Sequence, residues 1–192
     1  MANDVRVRVS LDVTETPSLC NEVTDSLVEI FLTPGALYCT AVPSRVTTIL
    51  GSCVAVCLWD ARLRIGGVNH YLLPYQGDAA PSPRFGDAAI EQLLAEMLQL
   101  GCRAGALYAK VFGGAAVLGR ATGGDPVGDQ NVRVALEKLS RHGIPVIAQS
   151  TGGCAGMSIR LLTESGAVTV RRIATAAALD PAYRGQRWKR CG

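Results

Sequence analysis

The chain has 192 residues, of which 48% are apolar and 18% charged, with a formal net charge of +3. That length and composition support one domain with its own apolar core and exclude wholesale disorder, which requires few apolar residues and much charge. The longest apolar run, Cys53 to Trp59, falls far short of the roughly 20 residues that cross a bilayer. No cationic stretch followed by an apolar run marks a signal peptide, and the small charge excess argues against a dedicated nucleic-acid binder.

In chain order, residues 1–26 are polar. Val5-Arg6-Val7-Arg8-Val9 alternates as a strand would, but the Thr/Ser/Asn/Asp-rich stretch after it reads as a loosely attached extension. A single domain is expected over 27–175. It starts with β-rich Val28 to Leu32, stopped by Thr33-Pro34-Gly35, and continues with strands over Ala36 to Val42 and Val46 to Leu50. Cys53 to Trp59, bounded by Gly51 and Asp60, has the length and the valines of a buried strand. Asp60 to Gly67 reads as a turn region and Val68 to Leu73 as the next strand, so consecutive antiparallel strands are expected.

A surface loop over 75–86 leads to a helix whose Ile90, Leu93, Leu94, Met97 and Leu98 fall on one face. Asp87 is placed as an N-terminal acid or cap and Gly101 to end it. Ala106 to Phe112 reads as a strand, 115–126 as a glycine-rich loop, and Val132, Ala135, Leu136 and Leu139 as the apolar face of a second helix. Ile144 to Ala148 is a further strand. Ser158 to Thr163 and Ala167 to Ile173 form a hairpin about Glu164-Ser165-Gly166. Two helices and about seven strands imply an α/β sandwich of mixed or antiparallel character. Residues 176–192 are a basic tail, with Arg184, Arg187, Lys189 and Arg190, which a solvated terminus explains.

Seven cysteines with no CxxC pair suggest free thiols in a reducing cytoplasm. Two widely separated histidines and no CxxC or HExxH do not build a zinc site, so neither metal nor cofactor is expected. His142 sits in the last turn of a helix, where a cation suits the dipole. His70 ends the strand next in sequence to the one that Cys53 begins. If those strands pair, Cys53 and His70 meet at one end of the sheet. An adjacent imidazole lowers a thiol's pKa and handles its proton. Small Gly51 and Ser52 leave the Cys53 amide available to an oxyanion. For Cys39, Cys57, Cys102 and Cys154 the favoured role is that of a small buried hydrophobe. The Gly113-Gly114 and Gly152-Gly153 pairs could bring backbone close to a substrate, although most such pairs are turns.

Several segments resemble the CheD family of chemoreceptor glutamine deamidases. These are Thr47-Thr48-Ile49-Leu50-Gly51-Ser52-Cys53, Asn69-His70-Tyr71-Leu72-Leu73-Pro74, Lys110-Val111-Phe112-Gly113-Gly114-Ala115, Gly128 with Asn131, and Thr151-Gly152-Gly153. The resemblance runs in order from about Val28 to Ile173. It implies a Cys-His-Thr site on an α/β sandwich similar to that of toxin deamidases. Cys53 is then the nucleophile, His70 the general base and acid, and Thr47, six residues before the cysteine, the threonine, with the adjacent Thr48 second. It further implies chemotaxis receptors as substrates, a CheC-type phosphatase as a further partner, a cytoplasmic location, and no cofactor. A monomer is the default expectation. The sequence departs from the family at Gln130 and Met157, where arginine is common. Two other functions stay open: a non-catalytic regulator of the phosphatase, and hydrolysis of receptor glutamyl methyl esters.

Overall fold

The computed structural model describes residues 27–78, 80–116 and 125–173. The expected extension over 1–26 and the basic tail over 176–192 lie outside the described residues. Nine strands and two α-helices run in the order β1 (Val28–Phe31), β2 (Ala36–Thr40), β3 (Ser44–Leu50), β4 (Val54–Asp60), β5 (Ile65–His70), α1 (Gly86–Gln99), β6 (Leu107–Gly113), α2 (Val127–Arg141), β7 (Val146–Thr151), β8 (Met157–Leu162) and β9 (Val168–Arg172). Among the described residues, no helix is long and apolar enough to cross a membrane.

The strands form two sheets, a four-stranded one ordered β1-β3-β8-β9 and a five-stranded one ordered β2-β5-β4-β6-β7. Each contains one parallel pair, β1 with β3 and β6 with β7, among antiparallel neighbours. The mixed α/β sandwich is thus as expected. The expectation that consecutive strands pair holds for β4 with β5 and β8 with β9. It fails for the first three strands, because the chain passes from one sheet to the other between β1 and β2 and again between β2 and β3.

Burial explains the sequence patterns. In β3, Ser44, Val46, Thr48 and Leu50 are buried while Arg45, Thr47 and Ile49 are not, as suits a strand with one face on a core and one on solvent. β4 is buried at every position but Trp59, because it lies between two cores. One face packs Ala55 and Cys57 with Val46, Leu50, Val68, Phe112 and Ile159 between the sheets. The other packs Val54, Val56 and Leu58 with Ile90, Leu93 and Met97 of α1 and Val134, Ala135 and Leu139 of α2. A buried side chain of this size contributes about 1.5–3 kcal/mol, so both sides of β4 hold it rigidly. Glu91 joins the two helices by bonding Lys138 at 2.8 Å and His142 at 3.0 Å.

One local reading changes and another narrows. Gly66 and Gly67, read as turn residues, belong to β5, where Thr163 and Leu93 leave no room for a Cβ. Of the two roles expected of Asp87, N-terminal acid or cap, α1 shows the acid. Phe85 occupies the cap position without a side-chain bond, and Asp87 lies in the first turn.

The first turn of α2 fits against the loop after β6 with no gap. A Cβ on Gly128 would stand 2.4 Å from the Gly114 carbonyl oxygen, too close for two backbones to tolerate. Gly128→Ala should therefore cost about 1–3 kcal/mol, read as a lower urea midpoint at unchanged m-value. An unchanged midpoint would refute this packing.

Candidate active site

Cys53 lies one residue before β4, and His70 is the last residue of β5. The β4–β5 register pairs Cys57 with Val68 and closes with Val54 opposite Tyr71, by bonds of 3.1 and 3.0 Å in both directions. Counting along that register sets Leu72 opposite Cys53 and Ala55 opposite His70. Side chains of alternate residues share a face, so Cys53 and His70 stand diagonally on the face turned to the four-stranded sheet. Diagonal neighbours lie roughly 7–8 Å apart between Cα atoms, with side chains closer. The expected meeting of the two residues at one end of the sheet follows.

His70 is 1% exposed and is held from across the sandwich. Its Nδ1 lies 2.8 Å from Thr48 Oγ1, and the same hydroxyl donates to the Leu32 carbonyl at 2.7 Å. A hydroxyl has one proton, and a carbonyl can only accept. Thr48 therefore gives its proton to Leu32 and accepts from His70, which fixes the proton of the neutral imidazole on Nδ1. Nε2 is left as the unprotonated nitrogen, buried without a hydrogen-bond partner among the described residues. This is the arrangement of a general base.

The expected Thr47 is not the threonine that meets His70. Thr47 pairs with Phe31 and Arg160 on the outer face of its sheet. Thr48, one residue on, points inward between Val46 and Leu50. Side chains alternate along a strand, so an offset of one residue decides which hydroxyl reaches the imidazole.

Burial also sets the charges. It holds His70 down at about 4, well below 6.5. It raises the half-buried Cys53 thiol above its ordinary value, with its own backbone amide acting in the opposite direction. The expectation that the imidazole lowers the thiol's pKa is corrected: desolvation dominates, and at neutral pH the pair rests as thiol and neutral imidazole. Cys39 and Cys57 are pushed up to about 12 and Cys102 to about 11, chiefly by burial. Such thiols are inert, as expected of small core residues.

The glycine pairs fasten the Cys53 turn. The Gly114 amide donates to the Cys53 carbonyl at 2.9 Å, Ala115 to Gly51 at 2.8 Å, and Ala116 to Gly153 at 2.8 Å. These three amides are engaged within the protein. Sequence reasoning missed the role of Asn131, a buried residue of α2 that donates to the Ser52 and Leu72 carbonyls. The signal for it is an amide on the otherwise apolar stripe with Val134 and Ala135. At the two departures from the family pattern, Met157 is core-buried and Gln130 donates to the Asp125 carbonyl at 2.7 Å. Among the described residues, no group of three or more His, Cys, Asp or Glu could hold a metal ion.

The depressed His70 has a thermodynamic consequence. The unfolded chain takes up this proton near 6.5 and the folded one only near 4, so the stability contribution is complete above 6.5 and is lost as pH falls through that window. One such proton changes stability by up to about 1.4 kcal/mol per pH unit. Urea midpoints measured between pH 7 and pH 4.5 should fall more steeply for the wild type than for His70→Gln. Equal slopes would assign the effect to another group.

The profile of CheD, described as chemotactic sensory transduction, matches residues 72–172. A protein of Rhodospirillum rubrum named as a probable chemoreceptor glutamine deamidase CheD is 49% identical over 81% of this chain and 89% of its own length. Proteins of the same name from Trichlorobacter lovleyi and, as CheD 1, from Anaeromyxobacter dehalogenans are 43% and 41% identical. They match over 74% and 76% of this chain and 89% and 85% of theirs. Among solved structures, the hypothetical protein YfiH of Bacillus licheniformis is 16% identical, with a TM-score of 0.43 over 62% of this chain and 51% of that one. With the profile covering more than half of the chain, and relatives this similar over most of their length, the chain belongs to the CheD family.

Proposed function

We propose that this protein hydrolyses the side-chain amide of specific glutamines in chemotaxis receptors, giving glutamate and ammonia, with Cys53 as nucleophile and His70 as base and acid. The observation that carries this reading is the buried His70 imidazole, fixed at Nδ1 by Thr48 and unprotonated at Nε2, on the face it shares with Cys53. The names of the relatives support the substrate. A receptor substrate and a thiol nucleophile both fit a cytoplasmic setting.

The proton of the Cys53 thiol passes to Nε2 as sulfur bonds to the carboxamide carbon. The oxygen becomes an oxyanion, held by the Cys53 amide. One such donor is worth about 3 kcal/mol. Collapse of this intermediate breaks the carbon–nitrogen bond. Nε2 returns its proton to the nitrogen, which leaves as ammonia, and a thioester remains on Cys53. A water molecule then gives a proton to Nε2 and its oxygen to the acyl carbon. The thiol is reprotonated and the glutamate carboxylate departs. Burial of His70 suits the demanding half of this cycle: an imidazole that resists protonation is a strong acid once protonated, and expulsion of an amide nitrogen needs its proton delivered. Thr48 holds the imidazole in the required tautomer, as an acid does in a serine triad.

The same thiol would attack a glutamyl methyl ester, so both substrates belong in the assay. An intact site disfavours a purely regulatory role beside a CheC-type phosphatase. Intact-peptide mass spectrometry of a receptor cytoplasmic fragment should show amide-to-acid conversion at defined glutamines with the wild type. With Cys53→Ala or His70→Ala, turnover should fall by about 1,000-fold or more. No conversion with the wild type, its Cys53 reduced, would overturn the deamidase reading. Conversion of the ester alone would make the protein an esterase.

The two threonines give a separate test. Thr48→Ala should lower kcat about tenfold, the value of one ~1.4 kcal/mol hydrogen bond, and Thr48→Ser should restore most of it. Thr47→Ala should stay within about twofold of wild type. The reverse order would return the role to Thr47.

A further inference from the structure

Asn131 is wholly buried in the first turns of α2. Its side-chain amide donates to the Ser52 carbonyl at 3.0 Å and to the Leu72 carbonyl at 2.9 Å. The end of the β4–β5 ladder makes the Ser52 carbonyl available. A ladder continued past Val54 and Tyr71 would pair Ser52 with Leu73. Instead, Leu72 and Leu73 both donate to the Arg84 carbonyl, at 2.9 and 3.1 Å, and the Leu73 carbonyl accepts from Gly86 at 2.8 Å. β5 turns away where Cys53 begins, and one Asn131 amide group, with its two protons, replaces the missing strand partner of Ser52 and ties it to Leu72. Asn131 is itself anchored, since the Tyr71 hydroxyl donates to its carbonyl at 2.7 Å.

The Ser52 carbonyl and the Cys53 N–H belong to one planar trans peptide, so they point in opposite directions. Gripping the carbonyl toward α2 turns the N–H away from α2. The next carbonyl, that of Cys53, is tied to the Gly114 amide. Both peptides that flank Cys53 are therefore fixed, one by a side chain and one by backbone.

We propose that Asn131 is a positioning residue. By holding the Ser52 carbonyl it aims the Cys53 amide at the oxyanion, and it contributes little to the reactivity of the thiol itself. This rests on Cys53 being an acyl-transfer nucleophile, as above. An aimed amide lowers the barrier only where negative charge develops on oxygen. Acyl transfer to Cys53 needs it, whereas alkylation, which develops no oxyanion, does not.

The test compares two reagents on the full chain, with peptide-resolved mass spectrometry reporting Cys53 alone. In Asn131→Asp, which keeps the size but loses both donors, acylation of Cys53 by p-nitrophenyl acetate should fall tenfold or more. Alkylation by iodoacetamide should stay within threefold. On the receptor fragment, kcat should fall with acylation while KM stays within threefold. Tyr71→Phe, which frees the Asn131 backbone carbonyl but leaves the side chain, should show the same split to a smaller degree and serves if Asn131→Asp does not fold. Unchanged acylation, or acylation and alkylation falling together in the folded variants, would overturn the proposal. Failure of the wild type to convert receptor glutamines while still being acylated at Cys53 would overturn the substrate reading and leave this role standing.

Discussion

The site depends on one buried hydrogen bond that crosses the sandwich, from His70 in the five-stranded sheet to Thr48 in the four-stranded one. A polar group taken out of water must find a partner or cost about 1–3 kcal/mol, and His70 is almost fully enclosed. The bond forms only if the two sheets keep their relative position to within a few tenths of an ångström. The apolar layer between them, with Val46, Leu50, Ala55, Cys57, Val68, Phe112 and Ile159, supplies that constraint. Thr48 has no freedom of its own either, because its proton is committed to Leu32. The tautomer of the imidazole is thus a consequence of core packing, fixed before any substrate arrives.

Cys53, the proposed nucleophile, is fixed by different means. It belongs to a turn, where no ladder supports it, and the helix layer takes over. Gly114, Ala115 and Ala116 satisfy the carbonyls of Cys53, Gly51 and Gly153, and α2 brings Asn131 to those of Ser52 and Leu72. The close seating of Gly128 on Gly114 makes this approach possible. Rigid strands thus carry His70, and a network of backbone bonds under a helix carries Cys53. Both kinds of support converge on one end of β4 and β5.

Much of this was legible in the sequence, and the losses have physical causes. The β-branched run of β3 and the continuous apolar run of β4 mark both as strands. The diagonal meeting of Cys53 and His70 follows once β4 and β5 pair. The exchange of early strands between sheets was not legible, because local periodicity carries no information about which sheet a strand joins. The resemblance put the threonine at Thr47, six residues before the cysteine, whereas the pleat brings Thr48 to His70. Val46 and Leu50 are the apolar members of the inner set, and Thr48 stands between them. Asn131 was the harder case. A buried amide on a helix face looks like a flaw in the pattern until the carbonyls it serves are known, and those lie some 60 and 80 positions earlier in the chain.

The neutral resting state of the pair follows from the same enclosure. His70 is almost fully enclosed, with a hydroxyl on Nδ1, and burial opposes charge on both groups, lowering the imidazole's pKa and raising the thiol's. An unpaired thiol pushed up by burial is slow toward oxidants and stray electrophiles. In the proposed mechanism, proton transfer to His70 accompanies carbon–sulfur bond formation once the substrate carbonyl lies against the Cys53 amide. The negative charge then moves to an oxygen with a fixed donor, instead of resting on a buried sulfur without one. Holding the thiol back at rest and holding the amide in place are complementary, since both reserve electrostatic stabilisation for the moment when charge appears on the substrate.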